Sequence, residues 1–394
     1  MTSPATPQGA APTPAAYEFR MPTTLIHGVG VATQAGQRAK ELGATRVLLV
    51  SDAGVARAGL LKPIEESLRA AGLPFATFTD IQADPTAESA ERQADLLKTH
   101  QTDCIVAVGG GSVLDYAKAL RLLHERGGPL RRFAGFGNVP AALSTPLIAL
   151  TTTSGTGSQV SYGAVFTDAA ARTKFPIISP YMAPNLALND ALLTATAPPK
   201  ITAMTGADAL CHAVESYATK QANVFSRMFS IEATRLILEN LQAVYDDGQN
   251  IPARDAMLLG STIAIIPASL VGLGLAHAGA MPLCGRYGLP HGLVTGMLMA
   301  PSIEFNIAEG PQHYAGMAQA LGHDGSPEQA VAALARRVRE LLTGIGVPAH
   351  FAELGARAED IPRIVADTLA SPQAGRNPRP LTAENLETFY RKYM

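Results

Sequence analysis

Short, uninterrupted apolar runs alternate with helically spaced segments from residue 17 to about 195. Residues 46–51 (RVLLVS), 103–108 (DCIVAV) and 147–150 (LIAL) are continuous, aliphatic and of strand length. Between them, 60–71 and 87–100 carry apolar residues at helical spacing. Continuous runs separated by helices predict parallel strands buried on both faces, hence an α/β sheet. After Pro198-Pro199 the pattern changes. Residues 200–220, 224–246, 254–270, 312–321, 327–344 and 383–392 all read as helices, and no comparable strand follows residue 200. The expectation is an α/β domain over 17–195 followed by an all-α domain over 196–394, with no internal repeat.

Composition narrows the classes. The 394 residues are 47% hydrophobic and only 16% charged, against roughly 25% charged in an average soluble chain. That suits large domains or an oligomer, and excludes disorder for most of the chain. A net charge of −2 offers no basic field to hold nucleic acid or anionic lipid. The opening MTSPATPQGAAPTPAA has neither the basic start nor the apolar run of a secretory signal, and 1–16 reads as a disordered tail. Cys104, Cys211 and Cys284 lack CxxC spacing, which excludes a disulfide framework and fits a reducing cytoplasm. Residues 256–285 carry no formal charge, but Pro267, five glycines and His277 favour a pair of buried helices over a membrane span.

Candidate chemistry lies in two loops and four side chains. Gly109-Gly110-Gly111-Ser112 follows one strand directly and opens a helix. Glycines let a ligand approach the backbone, and free amides at a helix start attract an anion such as pyrophosphate. Asp115, three residues after Ser112, suggests a capping box. The GxGxxG fingerprint is absent. The second loop, residues 151–158 (TTTSGTGS), follows another strand with six hydroxyl-bearing residues in eight. Two such loops at neighbouring strand ends make a nucleotide crevice. Asp52 closes the first strand, where an acid binds a ribose 2′-hydroxyl and repels a 2′-phosphate, favouring NAD over NADP. In the helical half, Asp208 and His212 fall at i and i+4 on one helical face. His277 and His291 follow on an apolar stretch. One carboxylate and three imidazoles suit Fe²⁺ or Zn²⁺ rather than Mg²⁺ or Ca²⁺. Arg20, Arg172 and Arg286 are basic residues that face either an acidic substrate or, by default, solvent.

Taken in order, these motifs resemble the iron-containing (group III) alcohol dehydrogenase family from about residue 20 to 393. GGGSVLDYAK is similar to the family's GGGSxxDxAK, TTSGTGSQ to TTAGTGSE, and GADALCHAVESY to GxDALTHAxExY. HAGAMPLCGRYGLPHG is similar to HAxAHPLGAxYxxPHG, and Asn377–Thr382 to NPRxLT. The resemblance implies a dinucleotide domain and a helical metal domain of the dehydroquinate synthase-like type, with the site in the cleft between them. It also implies an NAD-linked alcohol dehydrogenase or aldehyde reductase, passing hydride between a metal-bound alcohol and nicotinamide, and a cytoplasmic homodimer. Carried over by position, Asp208, His212, His277 and His291 are metal ligands and catalytic residues. Asp52, Gly110, Gly111, Ser112, Asp115, Thr152, Thr153, Thr156, Lys174, Leu193 and Met281 fall at the cofactor. Two departures stand out: Gln159 replaces an acid, and Met281 replaces a histidine that sits beside the nicotinamide in the family. Related readings are a hydroxyacid–oxoacid transhydrogenase, a maleylacetate reductase and a dehydroquinate synthase-type lyase. From another class, an inactive scaffold remains.

Overall fold

A computed structural model describes residues 16–169 and 173–394. Residues 1–15 of the expected tail, and Arg172, lie outside the described residues.

The first half holds strands β1 (Thr24–His27), β2 (Val47–Val50), β3 (Phe75–Phe78), β4 (Cys104–Gly109), β5 (Gly135–Phe136), β6 (Leu147–Thr151), β7 (Gly163–Asp168), β8 (Thr173–Ile178) and β9 (Leu186–Asn189). Six form an all-parallel sheet in the order β1-β9-β6-β4-β2-β3. The three runs read from sequence are its central strands, and every residue of β2, β4 and β6 is buried. Side chains alternate between two cores. Leu48, Val50, Ile105 and Ala107 point to one face, while Val47, Leu49, Val106 and Ile148 point to the other. β1 and β3 escaped notice because they are four-residue edge strands, only partly buried. β7 and β8 form an antiparallel hairpin beside β5, in a separate three-stranded sheet.

Helices α1 (Ala35–Glu41), α2 (Ala53–Arg57), α3 (Lys62–Ala70), α4 (Ala87–Glu91), α5 (Leu96–Thr99) and α6 (Gly111–Arg126) accompany this sheet. The single helix expected over 87–100 is thus two short ones. Turn bonds from Gln93 N to Ala90 O and from Ala94 N to Glu91 O interrupt the ladder. Because all strands of the large sheet run parallel, the segments after β2, β4, β6 and β9 gather at its carboxyl edge, where open α/β sheets bind ligands.

Beyond Asn189 the described residues contain no strand. The helices are α7 (Pro199–Ala218), α8 (Val224–Asp246), α9 (Ile251–Val271), α10 (Leu275–Tyr287), α11 (His291–Asn306), α12 (Ala315–Ala320), α13 (Pro327–Gly344), α14 (Ile361–Ala370) and α15 (Ala383–Tyr393). The uncharged stretch 256–285 resolves into α9 and α10, broken at Gly272, whose φ of +74° ends the first helix. By length and composition α9 alone among the described residues could cross a bilayer, but 61% of its apolar window is buried in the fold.

Candidate active site

Three helices converge on the four predicted metal ligands. α7 carries Asp208 and His212, α10 carries His277, and α11 opens on His291. Small residues let α11 approach α7. A Cβ on Gly292 would sit 2.2 Å from the Met204 carbonyl oxygen, and one on Gly296 would sit 2.8 Å from Ala207 Cβ. The ligand atoms of Asp208, His277 and His291 lie within 4.8 Å of one another. His277 Nε2 and His291 Nε2 are each 3.6 Å from Asp208 Oδ1. The His212 ring stacks on His277 with centroids 4.8 Å apart.

The donor set fits a divalent cation. His212 Nδ1 and His277 Nε2 are buried without any hydrogen-bond partner, an arrangement that costs free energy unless something takes up those atoms. Charge within the cluster is strongly coupled. Burial alone would raise the Asp208 carboxyl, but the imidazoles of His212, His277 and His291 hold it far below the usual carboxylate range. Burial pushes His212 down to about 4 and also lowers His291. His277 goes the other way, to about 9: burial opposes its charge, yet the Asp208 and Glu215 carboxylates prevail. Protons and a cation compete for the same lone pairs.

Sequence reasoning missed the groups that hold these ligands. Glu215 lies two turns after Asp208 on α7, and this spacing was the available signal. It is buried, and its Oε2 lies 2.7 Å from His277 Nδ1. With Nδ1 donating to that carboxylate, Nε2 is left bare as a ligand atom. Glu215 Oε1 also accepts from Ala276 N at 2.6 Å, and Asn377 Oδ1 accepts from Leu275 N at 3.0 Å. The two side chains therefore cap the start of α10, which accounts for the asparagine of the NPRPLT segment. Gly274 is required there, since a Cβ would fall 2.9 Å from Asn377 Oδ1 and 3.1 Å from Glu215 Oε1. Thr295 Oγ1 donates to Asp208 Oδ1 at 3.0 Å.

The two predicted loops meet at the carboxyl edge of the sheet. β4 runs into α6 through Gly110, which caps the helix without any side-chain bond, leaving its first amides open to an anion. The expected capping box is therefore absent. Ser112 already lies inside α6, and its Oγ accepts from Asp84 N, while Asp115 turns to other partners. Asp115 accepts from Ser158 Oγ at 2.6 Å and from Val165 N at 2.9 Å. Lys118, fully buried, donates to Ser158 Oγ and to the Gly163 carbonyl, each at 2.7 Å. Together Asp115 and Lys118 clamp the 151–158 loop. A Cβ on Gly111 would come 2.8 Å from Thr156 Oγ1, so the loops touch. Thr152 N donates to Gly109 O, and Thr153 lies nearest Gly110. Gln159 reaches into the helical half, its Nε2 donating to Thr262 Oγ1 on α9 at 3.0 Å.

The remaining predicted cofactor residues differ in setting. Asp52 caps α2, its Oδ1 accepting from Gly54 N and Val55 N. The Leu193 side chain is buried in the sheet core, and its N–H donates to Asp190 O. Lys174, on β8, pairs with Asp84 at 2.5 Å. Met281 is 37% exposed, one turn beyond His277 on α10. Arg286 is held by Asp360 at 2.9 Å rather than turned to the metal ligands, and Arg20 is exposed.

Comparison with known proteins agrees with this arrangement. The profile described as iron-containing alcohol dehydrogenase matches residues 22–191, and that of the family's C-terminal region matches 202–394. An NAD-dependent methanol dehydrogenase of Bacillus methanolicus is 33% identical over 93% of this chain and 97% of its own. A crystal structure of a 1,3-propanediol oxidoreductase superposes with a TM-score of 0.93 at 30% identity, covering 96% of this chain and 100% of the other. A sulfoacetaldehyde reductase from Bifidobacterium kashiwanohense, solved in complex with NAD⁺, gives 0.88 at 27% identity, with 96% and 99% covered. With both halves matched in order and nearly end to end, the chain belongs to the iron-containing alcohol dehydrogenase family.

Proposed function

We propose that this chain interconverts small alcohols and aldehydes with NAD(H), using Fe²⁺ held by Asp208, His212, His277 and His291, with Zn²⁺ the alternative. As a member of its family it is an oxidoreductase acting on CH–OH groups. The observation that carries the reading is the convergence of Asp208, His277 and His291 ligand atoms within 4.8 Å, with His277 Nε2 buried and unpartnered beside Asp208. When bound, a divalent cation supplies positive charge at the substrate oxygen, and nicotinamide gives or takes the hydride. The chain's own residues do the positioning. Glu215 fixes the His277 tautomer, and Thr295 orients Asp208. Gly110, Gly111, Ser112, Thr152, Thr153 and Thr156 line the edge that receives the dinucleotide phosphates, and Asp52 stands where the adenosine ribose belongs. Lys174, Leu193 and Met281 complete the cofactor surface, and Asp115 acts by holding the 151–158 loop. Met281 offers no proton-transferring group, so the substrate proton leaves through ordered water.

We take the boundary between the halves to lie between the end of β9 and the start of α7. The enzyme is proposed to act as a cytoplasmic homodimer, a setting consistent with three free, buried cysteines. The test combines elemental analysis with NADH turnover over an aldehyde panel, in wild type and His277→Ala. Stoichiometric metal and NADH-dependent reduction are expected in wild type. Both should be lost in the variant while NADH binding persists. Stoichiometric metal in purified His277→Ala would overturn the ligand assignment.

A further inference from the structure

No sequence motif singles out Asp84, yet it joins two residues placed at the cofactor. Its backbone N–H donates to Ser112 Oγ in the glycine loop at 3.2 Å, and its Oδ1 lies 2.5 Å from Lys174 Nζ. The loop that carries it is anchored from the other side. Thr167 N donates to Pro85 O at 3.0 Å, and Thr167 is the register partner of Lys174 across the β7–β8 hairpin. Asp84 has a φ of +51°, a left-handed conformation that Asp and Asn adopt more readily than other side chains. The turn thus fixes its carboxylate between the glycine loop and the lysine.

Resting on the dinucleotide reading above, we propose that Asp84 is a cofactor latch. Its carboxylate holds the Lys174 ammonium in the nucleotide-free protein and yields it to the dinucleotide phosphates on binding. Lys174 has one positive charge to offer, and Asp84 competes for it with the incoming pyrophosphate. The Asp84 side chain is 71% exposed, so the pair is well solvated and weak enough to exchange. Its re-formation as the nucleotide departs shortens the residence of NADH. Asp84 is therefore a positioning residue that sets cofactor affinity, acting through Lys174 rather than on the reacting atoms.

The test is NADH binding to the full-length, metal-loaded enzyme, followed by nucleotide fluorescence and by stopped-flow release. Asp84→Asn keeps the left-handed turn and removes the charge. It should lower Kd about two- to fivefold, the scale of a competing exposed ion pair, and slow release by a similar factor. Asp84→Gly, which also suits the positive φ, should act in the same direction. The gain should fade in about 1 M salt, where the screening length is about 3 Å. In a Lys174→Met background the gain from Asp84→Asn should disappear, because there is no ammonium left to release. Unchanged or weaker NADH binding in Asp84→Asn overturns the latch. So does an equal gain in both backgrounds, which would make Asp84 a simple repulsive charge. Wild-type affinity in Lys174→Met alone would instead overturn the placement of Lys174 at the cofactor, and the latch with it.

Discussion

Replacing Glu215 by Gln asks whether a residue that never touches substrate governs the metal. The carboxylate serves two donors at once, Ala276 N at 2.6 Å and His277 Nδ1 at 2.7 Å. A glutamine offers one acceptor oxygen and one NH₂. If the NH₂ faces Ala276, the start of α10 loses a cap and two donors collide, costing about 1–3 kcal/mol in a buried setting. If it faces His277, the imidazole must accept at Nδ1 and carry its proton on Nε2. That proton would mask the atom 3.6 Å from Asp208. Either outcome weakens the site, and groups that orient a ligating histidine typically matter by about 10- to 100-fold in metal affinity. That range corresponds to about 1.4–2.7 kcal/mol. Competitive chelator titration of Zn²⁺ on wild type and Glu215→Gln measures it directly, with thermal melting of the metal-free proteins as the control for α10. Wild-type metal affinity in Glu215→Gln would refute the argument that this carboxylate supports the site by serving Ala276 and His277 together.

Three further outcomes follow from the same structure. Asp52, at the carboxyl end of β2, should give preference for NAD(H) over NADP(H), because like charges near 4 Å cost about 1–4 kcal/mol at effective dielectric constants of 80 to 20. Steady-state kinetics should show the gap narrowing in Asp52→Gly, and wild-type preference for NADP(H) would contradict the assignment. Met281→His should add an ionisation between about 6 and 8 to the pH profile of alcohol oxidation and shift selectivity toward small polar alcohols; superimposable profiles would mean that Met281 only packs. Glu125 is held below the usual carboxylate range because, although burial opposes its charge, hydrogen bonds from Thr145 and Ser144 outweigh it. With its folded value depressed, its contribution is fully present above about pH 4.5 and is lost as pH falls through the lower folded value. Urea unfolding from pH 6 to 3 should therefore show a shallower acid limb for Glu125→Gln, and identical limbs would argue against that linkage.

Long-range meeting points separate what the chain shows locally from what needs a fold. The aliphatic runs at β2, β4 and β6 announce a doubly covered parallel sheet, because strands buried on both faces have no polar alternation to disguise them. Several helices of the second half were equally legible, the spans of α8 and α13 being read without error, whereas α11 and α14 were not read. Asp208, His212, His277 and His291 could be named because Asp208 and His212 share a helical face at i and i+4, and His277 and His291 sit on an apolar, nearly uncharged stretch. Edge strands β1 and β3, and the short interior strand β9, were not visible: four residues carry too little periodicity to stand out from a loop. The capping box at Ser112 was misread for a related reason. Local pattern places Asp115 three residues on, but only tertiary structure supplies Ser158, Val165 and Lys118 as its stronger partners.

The sequence by itself determined the fold class and the family resemblance and named the candidate ligands, since each is written in short-range spacing and residue type. Tertiary structure alone decided what controls those ligands. Glu215 and His277 are separated by 62 positions, Leu275 and Asn377 by 102, and Asp84 and Lys174 by 90. No periodicity in a single chain encodes such pairs. They exist because α10 packs against α7 and the residue 377 segment, and because the β7–β8 hairpin lies against the turn at residue 84, while glycines at 292 and 296 let α11 and α7 close to backbone contact.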